Sequence, residues 1–164
     1  GETWALNDAW FWLEKNDIFV DKVFITDSRF IQFSYKKIEL AKCLTIVTID
    51  TVNIDLISHL SKKIYVFRAL GKDGFSLKYG EIYHGCSVFF TALQTAITMK
   101  YEKIACCGIL LYPPTNYCRV NGSRTMPEYV HAMQLSNARN AKLQLANLMI
   151  DLVIFEPESN LNFL

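Results

Sequence analysis

A chain of 164 residues, 51% hydrophobic and 20% charged, has the size and apolar content of one ordinary globular domain. That composition excludes a disordered chain. The formal charge is +1 and the Lys and Arg residues are scattered, which excludes nucleic acid as the main partner, because phosphate binding needs a concentrated basic face.

Residues 4–6 read as a strand that begins almost at once, and Asn7-Asp8 then reads as the cap of a helix over 9–15. A second strand over 22–26 ends at Asp27-Ser28, a turn or helix-cap signature, and a helical stretch covers 29–41. The β-branched run 44–49 is a third strand and 64–67 a fourth. Residues 70–80, with Gly71, Gly74 and Gly80, read as loop. An apolar helix comes next over 87–99, then a strand over 103–107 that stops at Gly108. Residues 112–127 hold three prolines and a glycine and predict a long surface loop of the kind that carries function. A helix over 128–149 and a strand over 152–155 complete the pattern.

Strands alternating with helices predict a single α/β domain over 1–164: Rossmann-like, with a mostly parallel sheet and helices on both faces. Gly1 is not an initiator Met and the first strand starts directly after it. The expectation is therefore a chain that starts inside a domain rather than before one. A mean hydropathy of +0.15 agrees, and leaves room for self-association or a peripheral membrane contact. Five cysteines, an odd count without metal-like spacing, read as buried reduced thiols of a cytoplasmic protein, at most one sitting at the inner face of a membrane. His59, His84 and His131 are far apart, so neither a metal nor a cofactor is expected.

No P-loop, G-x-G-x-x-G, G-x-S-x-G or H-E-x-x-H motif occurs. In parallel sheets ligands bind beyond the carboxyl ends of the strands, which singles out Asn7, Asp27, Ser28, Gly108, Tyr112, Ser159 and Asn160. Each has a plain alternative. Asn7 suits a helix cap, Asp27-Ser28 a turn, and Gly108 a tight strand exit. Tyr112 and Tyr117 suit loop anchors, and a single His near a helix start, as His131 is, suits a solvated or capping residue. Trp4, Trp10, Trp12 and Phe11 read as core or interface, and Cys86 as packing.

The run from Ser87 through Val-Phe-Phe-Thr-Ala-Leu-Gln to Lys103-Ile-Ala-Cys-Cys-Gly108 has a helix–strand–glycine cadence. It is similar to the bacterial sialyltransferases of the Campylobacter type, which use CMP-sialic acid, and to related sugar transferases. Trp4-Ala-Leu-Asn7 and Phe24-Ile-Thr-Asp27-Ser28 resemble strands whose ends contact the nucleotide in that family. His84, Cys86 and Ser87 sit where the family approaches the nucleotide. Tyr112 and Tyr117 match two tyrosines that hold the CMP phosphate, and His131 matches the general base. Ile154-Phe-Glu-Pro157-Glu-Ser159-Asn160 resembles the closing strand. The family's first strand and glycine-rich turn have no counterpart, and its Asp two residues after the late-strand glycine is Leu110 here.

The resemblance implies metal-independent transfer of sialic acid or a similar sugar from a CMP-sugar to a glycan acceptor. A base must take the acceptor's proton, and the ordinary imidazole pKa of about 6.5 suits that task. Tyrosine hydroxyls can hold a departing phosphate without a metal. Two rival readings stay open: a pterin pyrophosphokinase-like enzyme using magnesium and ATP, and a non-catalytic nucleotide- or sugar-binding domain.

Overall fold

The computed structural model describes residues 1–43, 45–109, 117–119, 122–124 and 127–155. In chain order these form β1 (Trp4–Leu6), α1 (Ala9–Lys15), β2 (Lys22–Phe24), α2 (Ser28–Leu40), β3 (Thr45–Ile49) and a 3-10 turn at Ile54–Leu56. Then come β4 (Lys63–Gly71), β5 (Glu81–Tyr83), α3 (Val88–Thr98), β6 (Lys103–Cys106), β7 (Tyr117–Arg119), β8 (Gly122–Arg124), α4 (Glu128–Asn147) and β9 (Asp151–Ile154). The fold is α/β and Rossmann-like, a five-stranded sheet, parallel from β1 to β4, flanked by helices. The chain divides into two compact units, 1–70 with 80–82, and 71–79 with 83–164.

In the first unit the strands succeed one another across the sheet in chain order, β1-β2-β3-β4-β5. Ala5 pairs with Val23, Val23 with Ile46, and Ile46 with Ile64. Right-handed crossovers between successive parallel neighbours place α1 and α2 on the same face. The inner strands are buried on both sides, which is why β3 reads as an unbroken β-branched run: Ile46, Val47, Thr48 and Ile49 are all buried. Helix α2 buries Ile31 and Ile38, seven residues apart on one stripe, each stabilising by about 2–3 kcal/mol.

Two charged side chains fix the exit of α2. The Glu14 carboxylate accepts the Lys42 and Cys43 amides at 2.9 and 3.2 Å. The Lys62 ammonium donates to the Ala41 and Cys43 carbonyls at 2.7 and 2.8 Å.

In the second unit β6 and β9 pair in parallel, with Ile104 beside Leu152, and α4 lies between them in sequence. Helix α3 is buried from Phe89 to Ile97. Helix α4 buries only one stripe, Gln134, Asn137, Ala138, Ala141 and Leu145.

Helices α1, α3 and α4 end alike. The residue after each C-cap is left-handed, Asp17 (φ 58°), Lys100 (φ 63°) and Met149 (φ 55°). The next amide reaches back to close the turn, Ile18 to Leu13 O at 2.9 Å, Tyr101 to Ala96 O at 3.2 Å and Ile150 to Leu145 O at 3.0 Å. These are Schellman closures, a position where glycine is usual.

Several expectations are corrected. Asn7 is not the cap of α1: it turns left-handed (φ 52°), and Asp8 occupies the N-cap without a side-chain hydrogen bond. Strand β4 runs on to Gly71, and the short β5 forms just beyond Gly80, because three residues are too few to show a period in the sequence. Residues 112–127 are not loop throughout, since β7 and β8 pair antiparallel, Cys118 opposite Ser123. Of the cysteines expected to be buried, Cys43 is; Cys86 and Cys106 are half-buried and Cys107 is exposed. Trp10 is core, whereas Trp12 and Phe11 are exposed.

Candidate functional site

The second unit gathers a polar cluster around the turn that joins β5 to α3. Gly85 and Cys86 are both left-handed (φ 56° each), so the chain doubles back within two residues, and the Ser87 amide closes onto His84 O at 2.9 Å. Only glycine fits at 85. A Cβ there would lie 2.4 Å from the Phe90 ring and 3.0 Å from the Asn137 amide carbon. Ser87 then caps α3, its hydroxyl accepting the Phe89 amide at 3.3 Å.

Loop 71–79 and α4 complete the cluster. The Asn137 side-chain amide donates to Lys72 O at 2.8 Å and Met133 O at 2.9 Å, and the Ser136 hydroxyl meets Asp73 at 2.9 Å. Gln134 donates to Cys86 O at 3.3 Å. Behind them Gln94 ties loop to helix: its oxygen accepts the Ser76 and Tyr83 amides, and its amide donates to the Tyr83 and Phe90 carbonyls.

What distinguishes this cluster is what it leaves open. Gln134 and Asn137 are 3% and 1% exposed, yet Gln134 Oε1 and Asn137 Oδ1 have no hydrogen-bond partner among the described residues. His131 Nδ1, one turn earlier on the same stripe of α4, is likewise buried and unpartnered among them. Unmet buried polar atoms cost about 1–3 kcal/mol each, so three on one helix face make this the candidate site among the described residues.

His84 and Cys86 have defined states. The Cys86 amide donates to His84 Nδ1 at 3.2 Å, which leaves the imidazole proton on Nε2. Burial, and then the Lys72 charge, lower the His84 pKa below its ordinary value and hold the ring neutral. Burial raises the Cys86 thiol pKa, with Lys72 opposing, so it packs as a thiol and is no ready nucleophile.

The first unit holds three of the expected residues at strand ends. Asn7 donates its amide to Phe24 O at 2.9 Å, and its buried Oδ1 has no partner among the described residues. Asp27 caps α2, and both its oxygens engage Arg29, which raises the guanidinium pKa further through hydrogen bond first and charge second. Ser28 Oγ accepts the Asn53 amide at 3.2 Å. In the second unit Gly108 (φ 78°) makes a left-handed exit two residues after β6, with open space where a Cβ would be. Tyr112, Ser159 and Asn160 lie outside the described residues, and of Tyr117 only its place in β7 is described. Among the described residues no three His, Cys, Asp or Glu side chains gather as a metal site would need. No described helix is long and apolar enough to cross a membrane.

Gln134, Asn137, Lys72 and Asp73 escaped the sequence reading. The signal was present at 131, 134 and 137, polar residues on the stripe that Ala138, Ala141 and Leu145 continue as core. Comparison with protein-family models, with curated proteins and with solved structures finds no match, so the candidate site rests on its own residues.

Proposed function

We propose that the chain is a metal-independent glycosyltransferase that takes sialic acid or a similar sugar from a CMP-sugar to a glycan hydroxyl, with the second unit holding part of the donor. The observation that carries this reading is the stripe His131, Gln134 and Asn137, with three buried unpartnered atoms, facing the left-handed turn at Gly85-Cys86. A nucleotide supplies amino and hydroxyl donors to Gln134 Oε1 and Asn137 Oδ1, leaving His131 for the reacting group, and the start of α3 beside Ser87 favours its phosphate. The resemblance in the 87–108 run supports the same reading.

In the reaction the acceptor oxygen forms a bond to the anomeric carbon while the bond from that carbon to the phosphate oxygen breaks. CMP leaves with the electron pair. His131 Nδ1, with no partner among the described residues to occupy its lone pair, takes the acceptor's proton. By the same resemblance Tyr112 and Tyr117 would steady the departing phosphate.

The test is a thermal-shift series with CMP, UDP, GDP and ATP, each with and without magnesium, followed by a transfer assay with CMP-sialic acid. Stabilisation by CMP alone, about 2.7 kcal/mol at a hundredfold excess over Kd, is expected without metal. His131→Ala should abolish transfer while leaving the CMP shift unchanged. A shift with ATP only in the presence of magnesium would replace this reading with the pyrophosphokinase-like one. CMP binding without turnover would leave a binding domain.

A further inference from the structure

The first unit carries an apolar surface on α1 and α2 that its own fold leaves uncovered. Phe33 and Leu40 of α2 are 87% and 81% exposed, and Trp12 and Phe11 of α1 are 58% and 47% exposed. Trp10, Phe11 and Leu40 line a groove between the two helices together with Glu14, Lys15 and Lys37. Phe33, Lys37 and Leu40 are spaced i, i+4 and i+7, so they form one stripe along α2, and Phe11 and Lys15 are i, i+4 on α1. Both helices run back from the carboxyl ends of their strands. Their last turns, with Lys15, Lys37 and Leu40, therefore lie at the amino ends of the sheet, away from the end where parallel sheets bind ligands.

The charges around this face favour one occupant. Lys15, Lys36, Lys37 and Lys42 are exposed, while the acids of the same turns are Glu14, Asp17 and Glu39. Glu14 accepts the Lys42 and Cys43 amides and keeps its charge, so the lysines outnumber the acids four to three. The Lys15 ammonium lies 5.4 Å from the Trp12 ring centroid and that of Lys36 5.9 Å from Tyr35, so cation and ring are presented together. Aromatic and leucine side chains among lysines are what a helix offers to the headgroup and acyl boundary of an anionic bilayer. Protein interfaces, by contrast, are depleted in lysine.

We propose that the α1–α2 face is a docking surface for an anionic phospholipid membrane, with Phe11, Trp12, Phe33 and Leu40 entering the interface and the lysines holding the headgroups. The test is flotation with vesicles of phosphatidylcholine alone and of phosphatidylcholine mixed with phosphatidylglycerol. The protein should float with the mixed vesicles, less so as salt rises, and not with the neutral ones. Each lysine contributes about fivefold to the partition, so Lys36→Glu with Lys37→Glu should lower it by more than tenfold. Phe33→Ser with Leu40→Ser should lower it comparably while the circular dichroism spectrum stays unchanged, because both side chains are exposed. Failure to float with the mixed vesicles overturns the proposal. So does flotation that the serine pair leaves intact. Sedimentation as a dimer that the serine pair makes monomeric, without vesicle binding, would assign the face to a second copy of the chain instead.

Discussion

The two units treat their polar side chains differently. In the first, Glu14 and Lys62 point at backbone amides and carbonyls around Ala41 to Cys43, and their hydrogen bonds close a helix exit. In the second, Gln94 does the same for loop 71–79, but Gln134, Asn137 and His131 each keep one buried atom without a partner among the described residues. The first unit also has two such atoms, Asn7 Oδ1 just after β1 and Thr48 Oγ1 in β3, and the second has a further one, Thr91 Oγ1 in α3. A polar side chain that satisfies the backbone belongs to the fold; three left open along one helix face make that face the candidate site.

The strongest way to press this contrast is at the glycines. Gly85→Ala should cost about 3 kcal/mol or more in urea unfolding, since it adds the left-handed penalty to a clash with Phe90, itself buried. Gly80→Ala, with φ 84° and no neighbour within 4 Å, should cost only about 1 kcal/mol. Equal costs would mean that the turn can repack. Next, Gln94→Leu strands the Ser76 and Tyr83 amides and should cost about 3 kcal/mol, against about 1.5 kcal/mol for Lys62→Met, because Gln94 is fully buried and Lys62 only half-buried. A reversed order would make the first unit the more dependent on its polar ties.

The smallest effect is that of pH. His84 has a folded pKa below its unfolded value, so its stabilising contribution is complete above the ordinary histidine range. It declines as pH falls through the unfolded pKa toward the folded one, because the unfolded chain then binds the proton first. Melting curves between neutral and mildly acid pH should show that loss in the wild type, and less of it in His84→Gln.

Much of the fold was legible because period and punctuation agreed. The β-branched run expected over 44–49 is β3 (Thr45–Ile49), Asp27 caps α2, and the apolar helix expected over 87–99 is α3 (Val88–Thr98). The three-residue strands β5, β7 and β8 were not legible, since so short a segment shows no alternation and is held by its neighbours. The site was legible only in part. The resemblance points to His84, Cys86 and Ser87, while Gln134 and Asn137 looked like ordinary polar residues of a mixed helix. Their burial depends on loop 71–79 folding against α4, a contact some 65 residues apart in sequence that no local window contains.

Asp17, Lys100 and Met149 sit in left-handed closures where a side chain costs about 1 kcal/mol relative to glycine. Three helices thus end under a small, avoidable load, and glycine at each position would relieve it without touching a core or candidate-site residue. The chain is therefore not at its most stable sequence. It has headroom, and a laboratory seeking a sturdier starting point for mutating the α4 stripe has three independent places to find it.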